Sequence, residues 1–404
     1  MDEDKATEST RYASRNFVLL LVIIFVATFA SSMVSASPVL FLVKDFVKTE
    51  EATAAVFGVL LSVSSVAVIA ANFAGGFLAD RIGRKRVIAV GSATLAPSLF
   101  LYSIVPNVFW VIVVYSIHMF SISMFQPAFT ALVADLSRVS SRGKAFGHYN
   151  LFWIGSTIPA PLVGGFLVDT IGLRFPFTLG ALISLVALVT SFGLVETSFR
   201  ETTAGNVPAG NEAEEVVMPF ASVMLIFGVM SLLNGVLNGM IAPLIRTYSI
   251  FKVGVSATEL GLAFSFGSGL VTALVQVPGG RLTDKVGRKP LLLFSLLGAP
   301  FVIAIAYTTS LSEFVLALAG LMAFGNLSAP AYYAWLMDLV PSTKRARASG
   351  VTNAITGIGM FIGPLLSTWL YQSQSNIVIP FAAATLPWIL QIPLIFKLKE
   401  TKTS

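Results

Sequence analysis

Few side chains in this sequence could do chemistry, and most of those lie at the ends of long apolar runs. His118 is placed well inside such a run, and an imidazole exchanges a proton near neutral pH. Asn234 and Asn238 are four residues apart, so on a helix they share a face and can hydrogen-bond one ligand together. These residues favour proton exchange and polar recognition of a ligand.

Metal and thiol chemistry have no support in the sequence. It contains no Cys and two His, His118 and His148, so we expect neither disulfides nor a thiol-ligated or His-rich metal site. The clustered His, Asp and Glu that an intramembrane enzyme needs at depth are absent, as is the G-x-x-x-x-G-K-[ST] nucleotide motif of a primary pump. We therefore expect no catalytic residue, metal or other cofactor.

One charged segment occurs twice in this otherwise apolar chain. GFLADRIGRKR runs from Gly76 to Arg86, and GRLTDKVGRKP runs from Gly280 to Pro290, about 204 positions later. Both copies keep Gly, Asp, Gly, Arg and Lys in the same order. An Asp at the end of one helix can accept hydrogen bonds from the unsatisfied N–H groups at the start of another. The segment therefore has the chemistry of a releasable contact between helices.

The composition indicates that these residues lie in a membrane protein. Of 404 residues, 55% are hydrophobic, and the mean hydropathy is +0.84, too apolar for the surface of a soluble globule. The net charge is +6, but short basic clusters between apolar runs suit lipid headgroups better than nucleic acid. The first apolar run has 28 residues, too many for a signal-peptide core, so we expect it to remain as a span.

Runs without Asp, Glu, Lys or Arg predict twelve membrane helices, since a span needs roughly 20 apolar residues. Residues 87–134 and 348–396 can each hold two helices, with polar breaks at 106–107 and 372–376. The eight single runs are 16–43, 52–79, 145–168, 175–195, 216–245, 260–280, 290–312 and 314–337. With loops assigned alternately, 21 of the 26 Lys and Arg lie on the N-terminal side. The positive-inside rule then predicts a multi-pass plasma-membrane protein with both termini cytoplasmic.

The predicted helices form two copies of a six-helix unit. MFQPAFTALVADL (124–136) matches LSAPAYYAWLMDL (327–339), and RGKAFGHYN (142–150) matches RARASGVTN (345–353), at an offset of 203. A nearly constant offset at Gly, Pro, Asn and charged positions predicts two parallel repeats. The polar stretch 196–218 predicts a cytoplasmic linker. The expected parts are a cytoplasmic tail at 1–15, six-helix bundles at 16–195 and 219–397, and a cytoplasmic tail at 398–404.

Twelve helices in two repeats, with G-x-L-A-D-R-x-G-R-K between the second and third, resemble the major facilitator superfamily. The pattern comprises Gly76, Leu78, Ala79, Asp80, Arg81, Gly83, Arg84 and Lys85, and its weaker copy includes Gly280, Asp284, Gly287 and Arg288. The resemblance covers nearly the whole chain and is closest to the 12-helix drug:proton antiporters. It implies an all-α membrane protein of two pseudo-symmetric six-helix bundles that rock about a central site.

Within that fold we expect the two charged segments to form a gating latch on the cytoplasmic side. Asp80 would dock onto the start of the eleventh helix at residues 347–349, and Asp284 onto the start of the fifth at residues 144–146. Gly76 and Gly280 would let the backbones approach. As an alternative, each segment could be only a tight turn whose basic residues set the membrane topology. That would explain the Arg and Lys, but not an Asp and two Gly at fixed spacing. The basic residues would meet lipid phosphates or pair with carboxylates: Arg81, Arg84 and Lys85 with Asp80, Arg142 with Asp135, and Arg345 with Asp338.

The fifth and eleventh predicted helices carry small residues at related spacings, which resemble the antiporter motif of the family. Small residues let another helix pack backbone to backbone, and a Pro lets the helix bend. The expected hinge residues are Gly147, Pro161, Gly164 and Gly165 in the fifth helix and Gly350, Gly359, Gly363 and Pro364 in the eleventh. Two interpretations of these small residues remain: simple packing of helices in a groove, or the hinge of an antiporter. We favour the antiporter, and therefore efflux.

The resemblance implies that the first, fourth, seventh and tenth helices line the substrate cavity. Their sparse polar residues and many aromatics suit an apolar or amphipathic small molecule. The expected cavity residues are Ser35, Tyr115, His118, Gln126, Asn234, Asn238 and Asn326. His118 is the candidate proton carrier, with a purely packing role as its alternative. Arg246 is expected to extend to the headgroups, the alternative being attraction of an anion.

We therefore expect a monomeric secondary transporter that exports a hydrophobic or amphipathic molecule in exchange for protons. The resemblance implies a carboxylate at depth in proton-coupled members, and this sequence has none. An uptake carrier or facilitator for an organic acid or sugar, without proton coupling, is therefore the alternative. A non-transporting sensor is less expected because it would not need two releasable latches.

Overall fold

The computed structural model describes residues 2–35, 37–137, 142–195, 218–341, 344–374 and 376–400. Of the predicted linker at 196–218, all but the last residue lies outside the described residues, as does 401–404 of the predicted C-terminal tail. Helix begins at Asp2 and continues to Met33, so the predicted N-terminal tail at 1–15 is not separated from the first span by a turn.

Twelve helices in the described part of the chain are long and apolar enough to cross a membrane, as the sequence predicts. They are α1 (Arg15–Phe46), α2 (Glu50–Ile82), α3 (Arg84–Ile104), α4 (Val108–Leu136), α5 (Ala145–Thr170), α6 (Phe175–Phe192), α7 (Phe220–Val253), α8 (Ala257–Val286), α9 (Arg288–Ile305), α10 (Leu311–Leu339), α11 (Arg347–Ser373) and α12 (Val378–Lys397). No strand occurs among the described residues. The all-α membrane fold is therefore confirmed.

A single glycine turns the chain between α2 and α3 and again between α8 and α9. Gly83 has φ 97° and Gly287 has φ 99°, a conformation in which a Cβ would be strained. Each begins the next helix directly, at Arg84 and at Arg288. The second glycine of the charged segment is thus required by the turn itself.

Several spans are interrupted at repeat-related positions. Span α4 consists of helices Val108–Met124 and Gln126–Leu136, and α10 consists of Leu311–Leu327 and Ala329–Leu339. Each second helix has a Pro in its first turn, which lacks the N–H needed to continue the preceding helix. Span α5 is broken between Thr157 and Pro159. Its counterpart α11 belongs to one helix, Arg345–Ser373, with Pro364 inside it.

The spans pack in two groups of six, α1–α6 and α7–α12. The first group shares one buried core that includes Phe41, Tyr102 and Phe177. The second contains two cores, one around Phe314 and the other around Trp335. We call the side where α1 begins and α12 ends the terminal face, and the opposite side the distal face.

Candidate functional site

The two groups meet along two helix seams. At the α5–α8 seam, a Cβ on Gly165 would overlap the Ala257 carbonyl, and one on Gly261 would overlap the Pro161 carbonyl. At the α2–α11 seam, a Cβ on Gly58 would overlap Thr368. Small residues therefore let the backbones of opposite groups touch. These contacts lie in the half of the molecule nearer the distal face.

A carboxylate of one group holds the first turn of a helix in the other at the distal end of the α5–α8 seam. Asp169 of α5 accepts hydrogen bonds from the backbone N–H of Thr258 at 2.7 Å and of Ala257 at 3.4 Å. The Thr258 hydroxyl donates a third bond at 2.7 Å. Unsatisfied N–H groups and the helix dipole both favour a negative charge there. Asp169 thus fastens α5 to α8.

Charged and polar groups also close the distal end of the α2–α11 seam. Lys252 Nζ of α7 lies 3.0 Å from Glu50 Oε2 at the start of α2. The Tyr371 hydroxyl of α11 donates to the same carboxylate, and Gln372 Nε2 donates to the Glu51 carbonyl at 3.3 Å. The distal face is therefore closed by polar bonds at both seams.

Space remains between the groups towards the terminal face. At the α2–α11 seam, a Cβ on Gly357 would overlap the Ile69 side chain. A Cβ added at Gly147, Gly280 or Gly350 would meet nothing within 4 Å. These glycines lie near the terminal ends of α5, α8 and α11, so the starts of α5 and α11 are accessible.

Among the described residues, Asp80 forms no hydrogen bond or ion pair with the start of α11, so the expected docking is not seen in this conformation. Asp80 is exposed. Arg81 stacks over the Phe77 ring of its own helix at 4.1 Å, and Lys85 Nζ donates to the Phe192 carbonyl at 3.2 Å. Asp284 lies 3.5 Å from Arg288 Nη1.

The expected pairing of Asp338 with Arg345 is wrong, and Asp135 likewise has another partner. Asp135 pairs with Arg84, and Asp338 accepts from Arg288 Nε at 3.1 Å. The cause is the glycine turn, which starts the next helix at Arg84 or Arg288 and brings that side chain beside the end of α4 or α10. Arg345 instead donates to the carbonyls of Met337 and Val340. The side chain of Arg142 lies outside the described residues.

A polar cavity of about 270 Å³ lies within the second group. It brings together three residues that the sequence singles out, Asn234, Asn238 and Asn326. Gln391 of α12 donates to Asn234 Oδ1 at 3.2 Å. Its further lining includes Ser231, Tyr332, Tyr333, Asn353, Thr356 and Trp388. Amide and hydroxyl groups there can both donate to and accept from a ligand.

A second cavity of about 180 Å³ lies between the groups. Its lining is mostly apolar and comes from α2, α4, α7 and α11. Asn238 lines this cavity as well as the polar one, and it is exposed although it lies in the middle of α7. Tyr115 and Met119 line it from the first group. The two cavities therefore meet at Asn238.

His118 lies behind the wall of the second cavity. It is 2% exposed, and its Nε2 is 2.9 Å from the Ser31 hydroxyl. Its ring packs edge-on against Tyr102 and Tyr115. Within the described part of the chain, Nδ1 is buried without a hydrogen-bond partner. One aromatic ring, that of Tyr115, thus separates the imidazole from the cavity.

Two other expected cavity residues belong to neither of these cavities. Gln126 accepts a hydrogen bond from the Tyr149 hydroxyl at 3.3 Å. Ser35 lies in the turn after the first helix of α1, where its N–H donates to the Ser32 carbonyl. Sequence reasoning missed Gln391, although an uncharged polar residue in an otherwise apolar span was the available signal.

Arg246 does not extend to the headgroups as expected. Span α7 runs two turns beyond it to Val253, so the residue is inside the span rather than at its end. Its guanidinium lies 4.6 Å from the centre of the Phe264 ring of α8. Nη1 donates to the Ala242 carbonyl at 3.4 Å.

Most of the expected hinge residues lie where helices approach closely, but Gly147 and Gly350 do not, because a Cβ on either would meet nothing within 4 Å. A Cβ on Gly359 would overlap the Leu232 carbonyl of α7, and one on Gly363 would overlap the Val236 carbonyl. In α5, a Cβ on Gly164 would overlap the Met33 carbonyl. Gly165 and Pro161 of α5 pack against α8, and Pro364 of α11 packs beside Gly58 of α2.

Comparison with known proteins agrees with this arrangement. The profile described as Major Facilitator Superfamily matches residues 20–230 and 223–404. The chain is 26% identical over 370 residues to the proton-coupled antiporter flippase LtaA of Staphylococcus aureus (strain USA300), covering 90% of this chain and 89% of that protein. It is also 26% identical over 377 residues to the protein of that name from Staphylococcus saprophyticus, with the same coverage.

Solved structures share the fold at low sequence identity. The xylose transporter XylE from E. coli, in its inward open conformation, matches with a TM-score of 0.72 and 16% identity over 95% of this chain and 96% of that one. The nucleoside transporter NupG matches with a TM-score of 0.76 and 16% identity over 95% of this chain and 100% of that one.

Proposed function

The chain belongs to the major facilitator superfamily of transporters, and we propose that it exports a small hydrophobic or amphipathic molecule in exchange for protons. The observation that carries this proposal is the meeting of a polar and an apolar cavity at Asn238. A ligand with a polar head and an apolar body fits such a pair. Relatives named as proton-coupled antiporters support the exchange.

We take the terminal face to be cytoplasmic in the plasma membrane, because most of the Lys and Arg lie there. The conformation described above is then inward-facing. In the outward-facing conformation, the bonds of Asp169 and Glu50 would break. Asp80 would then dock onto the start of α11. Pro161 and Pro364, each in a seam, would allow the bending that this exchange requires.

We assign the proton to His118. The carboxylates recorded in or beside the described spans are at helix ends, whereas His118 is one ring away from the cavity. Its Nδ1 has no partner among the described residues and can accept a proton. A buried imidazole gains or loses that proton only when water reaches it, and the reach of water changes with conformation. Proton exchange would thereby follow the transport cycle.

A facilitator without proton coupling is the second candidate. It is favoured by one observation, namely that no carboxylate pairs with or faces His118 among the described residues. Coupling is therefore the feature that the experiment must decide.

The test reconstitutes the full chain in vesicles that hold a pH-sensitive dye. Fluorescent amphiphiles, neutral and acidic, are added as candidate substrates. We expect substrate movement to carry protons the opposite way. His118→Ala should lower that proton flux about tenfold or more, while His148→Ala, the same change at the other histidine, should stay within roughly twofold. Substrate movement that ignores an imposed pH gradient would overturn the coupling and favour the facilitator.

A further inference from the structure

Arg246 is a cation inside a membrane span with no counterion recorded among the described residues. Its Nη1 bonds to a carbonyl of its own helix, and its Nε is buried without a hydrogen-bond partner. The Phe264 ring covers one face of the guanidinium. A charged group at such depth is costly and marks a functional site by default.

Five carboxylates at the surrounding helix ends are engaged elsewhere. Glu50 holds Lys252 and Tyr371, and Asp169 holds the start of α8. Two further carboxylates accept from a backbone N–H at the start of their own helix, and a third forms an ion pair within the first group. These are Glu259 with Ser256, Glu313 with Ser310, and Asp45 with Arg174. The structure therefore offers Arg246 no internal anion from these neighbours.

The guanidinium lies beside the cavity between the groups. Ala242, whose carbonyl accepts the Nη1 bond, lines that cavity. Tyr115 lines the same cavity from the opposite group. The cavity thus has a carbonyl bonded to Arg246 in its wall on one group and a phenol in its wall on the other. A phenol and a guanidinium are both donors, so together they suit an acceptor-only anion.

We propose that Arg246, with Tyr115, binds the anionic head of the transported molecule, a carboxylate or phosphate on an apolar chain. The planar fork of a guanidinium matches either oxyanion in a bidentate manner. The apolar part would lie in the cavity between the groups, beside Met119 and Val68. The substrate is then an amphipathic acid, which deepens the proposed function and rests on it. Because the two donors come from different groups, the anion would also bridge them.

The test measures binding to the full-length protein in an uncharged detergent, with Trp fluorescence as the signal. Trp388 lines the polar cavity, which shares Asn238 with the cavity between the groups, so its emission can respond when that cavity is occupied. The probes are decanoate, decyl phosphate, the uncharged decanol, and inorganic phosphate. The variants are Arg246→Gln, Arg246→Lys and Tyr115→Phe. Arg174→Gln is the matched control, because Arg174 is also near the distal face but already pairs with Asp45.

We expect Arg246→Gln to weaken both acidic probes about tenfold or more and to leave decanol within roughly twofold. Arg246→Lys should retain part of the affinity, since it keeps the charge but not the fork. Tyr115→Phe should weaken the acids about threefold, and Arg174→Gln should change nothing. If Arg246→Gln does not fold, Arg246→Lys and Tyr115→Phe decide the matter.

Three results would overturn the site. In the first, the acids bind all variants alike. In the second, acids and decanol weaken together, which would make Arg246 a packing residue. In the third, inorganic phosphate binds as tightly as decyl phosphate, which would make a free anion the ligand. Because binding is measured without transport, a failure of proton coupling in vesicles leaves this site standing, and the two failures are distinguishable.

Discussion

Removing the Asp169 carboxylate should open the distal face. Asp169→Ala deletes three hydrogen bonds that join α5 to α8, two of them to backbone N–H groups at a helix start. Hydrogen bonds to a charged group contribute about 1.5–3 kcal/mol, but Asp169 is exposed, so solvent screening keeps the total near the lower end, about 2 kcal/mol. That loss shifts the ratio of distal-open to distal-closed molecules by roughly 30-fold. Asp169→Asn keeps an acceptor oxygen and loses only the charge. We therefore expect it to destabilise the distal-closed conformation by about 0.3–1 kcal/mol, which shifts the same ratio roughly twofold to fivefold.

The measurement is the distance distribution between two spin labels on the distal face. The chain has no Cys, so a pair can be introduced without background, at Phe109 and Tyr307, which are 65% and 67% exposed. Asp45→Asn is the matched control, because that carboxylate is also near the distal face but pairs with Arg174 inside the first group. Unchanged distances in Asp169→Ala, or an equal change in Asp45→Asn, would refute the role of Asp169 as a fastener between groups.

Two further predictions use the same protein. Asp80→Asn should lower the distal-open share roughly twofold to fivefold, opposite in direction to Asp169→Ala, because it removes about 0.3–1 kcal/mol of docking energy from the outward-facing state; an unchanged share would argue against the latch. Gly359→Ala should cost about 1–3 kcal/mol by overpacking against the Leu232 carbonyl and lower the melting temperature by several degrees. Gly350→Ala in the same helix, whose Cβ meets nothing within 4 Å, should not, and equal melting temperatures for the two variants would contradict the packing.

The number of spans could be predicted from the sequence because charged residues are absent from the interiors of most spans. The rule failed at Arg246, where the charge-free run ends at residue 245 but α7 continues to Val253. A charge marks the end of a span only if it reaches water, and here Phe264 and the cavity accommodate it. Pattern alone could not reveal this, because Phe264 lies on the next span and its position over the guanidinium depends on how α7 and α8 pack.

The site could be predicted only in part, for a similar reason. Asn234 and Asn238 share a face by helix geometry, and they do line one cavity. Gln391 completes it from α12, which no local spacing connects to α7. The partners of Asp135 and Asp338 depend on the helix start that each glycine turn imposes. Spacing alone does not show that Arg84 lies beside Asp135 and Arg288 beside Asp338.

The sequence pattern drew attention to carboxylates that would dock from one group onto a helix start of the other at the terminal face. The structure describes a contact of this kind between the groups at the distal face, made by Asp169. Asp169 and Gln372 occupy positions 203 apart, the offset of the repeat. Each lies at the distal end of a seam, one against the start of α8 and the other against the start of α2. The α5–α8 seam is closed by the Asp169 carboxylate, which accepts from backbone N–H groups. The α2–α11 seam is closed by the Lys252–Glu50 ion pair, to which the Tyr371 hydroxyl also donates.

If Asp80 and Asp284 close the terminal face in the outward-facing state, the two sets of contacts exclude one another. Each set contributes only a few hydrogen bonds, so the two conformations would differ by no more than a few kcal/mol. An anion bound between Arg246 and Tyr115 would add its own affinity to whichever conformation holds those donors together. A gap of that size is small enough for one bound molecule to reverse, which is what exchange through a single cavity requires.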